Sequence, residues 1–176
     1  TKTNIAIVGT FISALITGIL AYVFTHESHL TGFANEEASF LDLAKNGTIN
    51  IQSLLISGIL IGSIGILDDV SVSQVSVVNE IHLANPKLTF IQLFTNSMRV
   101  GRDHVASMVN TLFLVYTGAA MPLMLLFLDN SLTFSQIINT EIVAEEVVRT
   151  LVASIGLILA VPTTTLMAAK FYAKKT

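Results

Sequence analysis

Residues 51–67 form an apolar run that leads directly into two adjacent carboxylates, Asp68 and Asp69. Val70, Val72, Val75, Val77 and Val78 carry the apolar pattern onward, with neither glycine nor proline between Gly65 and Pro86. Read as one helix, residues 51–79 span 29 positions, or roughly 43 Å at about 1.5 Å per residue, against a hydrocarbon core of about 30 Å. The aspartates are therefore predicted to lie between the bilayer centre and one interface. A carboxylate deep in a bilayer costs about 2.5–3.5 kcal/mol on insertion scales. Two neighbours there do not both stay ionised without a cation nearby, so a shared proton or a basic partner is implied.

Helical spacing supports a single helix. Gly58, Gly62, Gly65, Asp69, Ser73, Ser76 and Glu80 step by 4, 3, 4, 4, 3 and 4, which puts them on one small or polar face. A face of that kind is expected to pack against another helix. In the alternative, the span ends at Leu67 and both aspartates face a water-filled loop.

Composition decides the solvent. With 52% hydrophobic and 12% charged residues over 176 positions and a mean hydropathy of +0.73, the chain reads as a membrane protein whose main partner is the lipid bilayer. No basic stripe interleaved with aromatics supports nucleic-acid binding. The absence of cysteine excludes disulfides, thiol catalysis and zinc-thiolate sites. Residue 1 is Thr rather than Met, which leaves room for an upstream segment.

In chain order, residues 4–24 are long and apolar enough to span and lack the cleavage pattern of a signal peptide. Residues 26–50 are expected to be an extracytoplasmic aqueous loop, acidic apart from Lys45, with a turn at Asn46-Gly47. His26 and His29 are three apart; two histidines without a third ligand read as surface residues rather than a metal site. The aspartate helix, about 51–82, ends near Asn85-Pro86. A short interfacial amphipathic helix is predicted over about 87–99, where Leu88, Ile91, Phe94 and Met98 recur at helical spacing. A third span is read at about 103–128, kinked by Pro122, then a polar turn at Asp129-Asn130-Ser131 and a fourth span at about 141–171. In the last span Arg149, Ala153, Gly156, Ala160 and Thr163 form a second small or polar stripe, expected to meet the first. Lys2, Lys87, Arg99, Arg102, Lys170, Lys174 and Lys175 fall on one side and Lys45 on the other, so both termini are predicted to be cytoplasmic. The fold class is thus all-α and polytopic, a single transmembrane module over 1–176.

Several long motifs carry a resemblance. Leu67-Asp68-Asp69-Val70-Ser71-Val72-Ser73-Gln74, Ala84-Asn85-Pro86, the block from Met98 through Arg102-Asp103-His104 to Leu112, and Glu141 through Glu145-Glu146 and Arg149 to Pro162 resemble the YibE/F family of bacterial multipass membrane proteins. The resemblance covers nearly all of the chain after the first loop. It implies the bacterial inner membrane and, because the family is split into two chains in some bacteria, a second membrane subunit, either a YibE/F-like partner or another copy. A weaker similarity is to the transmembrane half-repeat of resistance–nodulation–division (RND) permeases, carried by Gly65-Ile66-Leu67-Asp68-Asp69-Val70, the following valines and Glu80, and by the placing of Pro122 and Pro162. There the aspartates bind protons opposite a lysine and an arginine from the other half-repeat. This chain departs from that pattern: its pair follows Leu67 one residue early, and residues 26–50 leave no room for a porter domain.

These readings define the expected site. Asp68 and Asp69 would bind the proton, with Ser73, Glu80, Arg102 and Asn110 completing the relay and Arg102 as countercharge. Gly58, Gly62, Gly65 and Gly156 would pack helices, and Arg149 would pair with Glu145 four residues earlier. No cofactor, metal or catalytic residue is read. Intramembrane aspartyl chemistry wants its carboxylates on facing helices, whereas neighbours on one helix diverge by about 100°. The leading function is a proton-coupled transporter subunit; the alternative is a membrane scaffold or assembly subunit.

Overall fold

The computed structural model describes residues 2–128 and 133–174; the expected turn at Asp129, Asn130 and Ser131, and Lys175, lie outside them. Every element among the described residues is a helix: α1 (Lys2–Glu27), α2 (Glu36–Ala44), α3 (Ile51–Ala84), α4 (Phe90–Ala119), α5 (Met121–Leu128), α6 (Phe134–Ile138) and α7 (Glu141–Ala173). Three of them, α1, α3 and α7, are long and apolar enough to cross a membrane. The protein is an all-α, multipass membrane protein built on these three.

Local chemistry sets the helix ends. Asn50 caps α3, its Oδ1 accepting the Ser53 N–H at 2.8 Å, and Asn85-Pro86 ends that helix in extended backbone. Thr89 and Gln92 close a reciprocal capping box at the start of α4. The expected interfacial helix and the first part of the expected third span are here one continuous helix, α4. Only Gly101 stood between them as a breaker, at a cost of about 1 kcal/mol, and its missing side chain is what lets α4 approach its neighbours. A Cβ there would lie 2.6 Å from Val161 Cγ1 and 2.9 Å from the Gln74 amide. The break falls later. Pro122 takes the second position of α5, where its missing N–H costs little, and the helix restarts rather than kinks. Within residues 26–50 the chain adds α2, a helix with no buried residue.

Cross-helix contacts give the directions. Thr10 meets Asp68 and Lys2 meets Glu80, so α1 and α3 run antiparallel. Gly9 meets Thr164 and Thr17 meets Gly156, so α1 and α7 do likewise. Consequently α3 and α7 run side by side in the same direction, joined at Ser71–Thr164 and Gln74–Thr165. α7 is the hub, packing on α1, α3 and α4. Both described chain ends lie at one end of the bundle, where Ile5 and Ala6 pack with Ala168, Ala169 and Tyr172. The loop end is closed by Ala21, Leu30, Ile59, Val148 and Val152.

The small-residue stripes do not meet. Around Gly58, Gly62 and Gly65 an added Cβ would touch nothing within 4 Å. α3 instead packs through Ile59, Leu67, Val70, Val75 and Val78, which fill more space against α1 and α7. The α7 stripe is buried at Ala153, Gly156 and Ala160, but its partner is α1. That helix carries a row of its own, Gly9, Ser13, Thr17, Ala21 and Thr25, stepping by four and wholly buried.

Candidate functional site

A polar seam runs through the bundle where α1, α3, α4 and α7 converge. Gln74 is its centre. It is 1% exposed, and its Nε2 donates to Thr165 Oγ1 at 2.7 Å and to the Ser97 carbonyl at 3.1 Å, tying α3 to α7 and α4. Thr164 Oγ1 donates to Ser71 Oγ at 3.3 Å, and the Ser13 and Thr163 hydroxyls lie 3.5 Å apart across α1 and α7. Three consecutive threonines, Thr163, Thr164 and Thr165, thus serve one junction directly after Pro162. Thr163 and Thr165 also bond back to carbonyls of their own helix, at 2.8 Å to Leu159 and 2.6 Å to Val161, so the threonine hydroxyls are paired, while the buried Ser97 hydroxyl has no partner among the described residues. Stepping patterns pick out Thr163 but not Gln74, Thr164 or Thr165. The usable signal was a buried-type Gln inside a span, since amides there are rare without a partner.

The aspartate pair sits at the edge of this seam, on the exposed side of α3. The Thr10 hydroxyl donates to Asp68 Oδ1 at 3.0 Å. Asp69 has no hydrogen-bond or ion-pair partner among the described residues, and its exposed face continues the uncovered glycine row. The other expected relay residues are dispersed. Glu80 pairs with Lys2 Nζ at 3.2 Å, Ser73 is half-buried, and Arg102 and Asn110 are exposed on α4. No ion pair joins Arg102 to either aspartate among the described residues. Depth is another matter. α3 and α4 run antiparallel with Gln74 facing Ser97 and Gly101, so stepping five residues from Gln74 back to Asp69 corresponds to stepping along α4 to between residues 102 and 106. Arg102 lies within about a turn of Asp69 in depth without sharing a contact.

A second carboxylate group lies at the loop end. Glu141 opens α7 and clamps the segment after α1: Thr31 N–H and Gly32 N–H both donate to its Oε1, the latter at 3.0 Å, and Thr31 Oγ1 donates to it at 2.7 Å. Gly32 suits this turn because its φ is +84° and a Cβ would lie 2.9 Å from the Ile51 carbonyl oxygen. One turn on, Glu145 is 2% exposed. The expected pairing of Arg149 with Glu145 is replaced: Arg149 Nε lies 3.6 Å from Glu146 Oε1, because Glu145 turns into the core while Glu146 stays half-exposed beside it. Beyond Glu146, an open apolar hollow of about 690 Å³ separates α4–α5 from α6–α7, lined by Phe113, Tyr116, Leu123, Phe127, Phe134 and Val147 among others. His26 stacks on Tyr22 within α1, whereas His29 lies beyond the helix with φ 52°, so the two do not share a helical face.

Against known proteins, a family model described as YibE/F-like protein matches residues 1–174. The chain belongs to the YibE/F-like family. The match takes in the aspartate helix, α4 and the whole of α7, so the seam, the Asp pair and the loop clamp all lie on family sequence. Family membership and three long apolar helices together are consistent with a bacterial inner-membrane protein. No curated protein and no solved structure matches the chain.

Proposed function

We propose that this YibE/F-like protein is a subunit of a proton-coupled membrane transporter, in which Asp68 and Asp69 bind and release the proton at a face completed by a second membrane subunit. One observation carries the reading. Asp69 stands within a 34-residue helix apolar enough to span a membrane, without a partner among the described residues, on the same uncovered face as Gly58, Gly62 and Gly65. A lone carboxylate facing lipid is costly, while one facing a closely packed helix with a basic group is not. Arg102 suits that countercharge when supplied by a neighbouring subunit, since it lies within about a turn of Asp69 in depth and is likewise unpaired among the described residues.

The mechanism follows from charge. Protonation neutralises the pair and weakens its hold on a cationic partner; deprotonation restores it, so proton binding is coupled to movement of α3 against the partner helix. Thr10 steadies Asp68, leaving Asp69 as the more mobile acceptor, and Ser73 and Asn110 supply hydrogen bonds along the route. Glu80, held by Lys2, stands at the end toward both termini. We place that end in the cytoplasm because most lysines and arginines belong to it. In this reading α4 and α5 together make a fourth crossing, and the four crossings form a half-repeat similar to that of RND permeases. The proposal is of a transporter subunit and not of an enzyme.

The uncovered glycine row also favours a second reading, a scaffold whose polar face selects a partner. One experiment separates them. Proton uptake is titrated on the reconstituted protein, alone and with any co-purifying membrane protein, in wild type and in Asp68→Asn/Asp69→Asn. A titration that vanishes in the double variant while the complex survives supports proton coupling. Loss of the complex with no change in proton uptake gives the scaffold reading instead.

A further inference from the structure

We infer that Glu145 is a second proton-binding site, at the loop end of the bundle, and that its ionisation releases the segment between α1 and α2. The inference stands whether or not the protein transports a solute. Glu145 is 2% exposed, and its Oε1 has no hydrogen-bond partner among the described residues. The backbone of Ala34, two residues past the Gly32 that Glu141 clamps, lies beside its carboxylate. Two carboxylates one helical turn apart therefore face one short stretch of chain. Glu141 holds it at the half-exposed rim through three donors. Glu145 lies beneath it, buried.

Among the described residues Glu145 forms no ion pair while the segment is closed. On its own helix Glu141 and Glu146 repel a negative charge and Arg149 attracts one, but Arg149 is already spent on Glu146. α1 contributes Thr25, buried with its Oγ1 unpartnered, while His26 and Glu27 at its end are exposed. α4 brings Tyr116 toward Arg149 and Glu146. The core beneath is Ala21, Leu30, Ile59, Val148 and Val152, which solvates nothing. A neutral carboxyl tolerates an unpartnered oxygen at far lower cost than a carboxylate does. The closed segment thus fits the protonated acid. When the proton leaves, water must reach Oε1, and the path for water is the place where residues 31–34 now sit.

The chain has no cysteine, so a single spin label can be placed without background. Phe33 is the position, 44% exposed and directly after the clamped Gly32. The full chain carrying labelled Phe33→Cys is reconstituted in lipid nanodiscs, and label mobility is followed between about pH 4 and pH 9. Wild type is expected to show one transition, mobile at the high-pH side. Glu145→Gln should hold the low-mobility state across the range. Glu141→Gln should raise mobility at every pH yet keep the transition. Arg149→Gln, which leaves the carboxylate in place, should move the midpoint to higher pH, and serves as the test if Glu145→Gln does not yield folded protein. The inference is overturned by the absence of a transition, by an unchanged transition in Glu145→Gln, or by a midpoint indifferent to Arg149→Gln.

Discussion

Gly9 on α1 meets Thr164 on α7 so closely that a Cβ on the glycine would lie 2.8 Å from the threonine hydroxyl oxygen, and about two turns along the same helices the roles reverse, with Thr17 seated on Gly156. Each helix supplies one notch and one knob. Between them Ser13 and Thr163 approach side to side. Because lipid is as apolar as a leucine side chain, helices in a membrane are held by such close packing rather than by the hydrophobic effect. The Gly–Thr exchange is accordingly the main fastening of α1 to the hub helix.

That arrangement makes Gly156→Ala a costly change for one methyl group. The hydroxyl of Thr17 cannot easily step aside, since it donates to the Ser13 carbonyl at 2.8 Å. Overpacking of this kind costs about 1–3 kcal/mol, against a gain in helix propensity of up to about 1 kcal/mol. The expected result is a net loss of about 1 kcal/mol, read as an earlier unfolding midpoint in detergent micelles. Thr17→Ala in the same chain should recover most of it. A double-mutant cycle showing no coupling would mean that the two helices are free to separate.

Gln74→Leu tests the seam. Both partners of the amide keep another bond: Thr165 Oγ1 still donates to the Val161 carbonyl, and Ser97 lies within α4, whose own ladder uses its carbonyl. The loss is then two interhelical bonds at an average near 0.6 kcal/mol each, a total of about 1 kcal/mol in unfolding experiments. Gln74→Ala adds a cavity among fully buried neighbours and should cost about 1–2 kcal/mol more.

The two results bear on what could be read in advance. Helices long enough to span announce themselves through apolar runs, and Asn85-Pro86 marks an end that the structure keeps. Which face of a helix is covered is less legible. The glycine row of α3 and the Gly9–Thr25 row of α1 are equally regular in stepping, yet the first is open and the second buried, because partner choice is settled by what the other helices offer. Gln74 was hidden for the same reason: a polar residue in a span reveals that it has a partner, not where the partner lies. Arg149 turned to Glu146 because Glu145 faces the core, an orientation that i, i+4 spacing alone does not encode.

Glu141→Ala should free the loop without unfolding the bundle. The clamp removes three donors' worth of hydrogen bonding from a segment that has little other anchorage, so backbone amides of residues 31–34 are expected to exchange with solvent faster by about tenfold, corresponding to about 1.4 kcal/mol. Amides in the middle of α7 should be unaffected. Gly32→Ala should have a similar local effect for a different reason, since its φ of +84° and the nearby Ile51 carbonyl both oppose a side chain. If exchange in this segment is already fast in wild type, the clamp does not hold it in the membrane.

Gly62→Ile draws the sharpest contrast with Gly156. A Cβ added at Gly62 meets nothing within 4 Å, so in the isolated protein the change should be neutral or slightly stabilising, through an improved helix propensity of about 0.5 kcal/mol. Its effect should fall entirely on assembly. Isoleucine on the glycine row holds a partner helix away from α3 and so separates Asp69 from whatever charge faces it. The measurement is paired: unfolding midpoint of the purified chain, and recovery of its membrane complex by size and crosslinking in native lipid. Unchanged stability with loss of the complex means that the uncovered face of α3 is an interface. Unchanged stability with an intact complex would mean that α3 faces lipid, and Asp69 would then have to shed its charge by protonation alone.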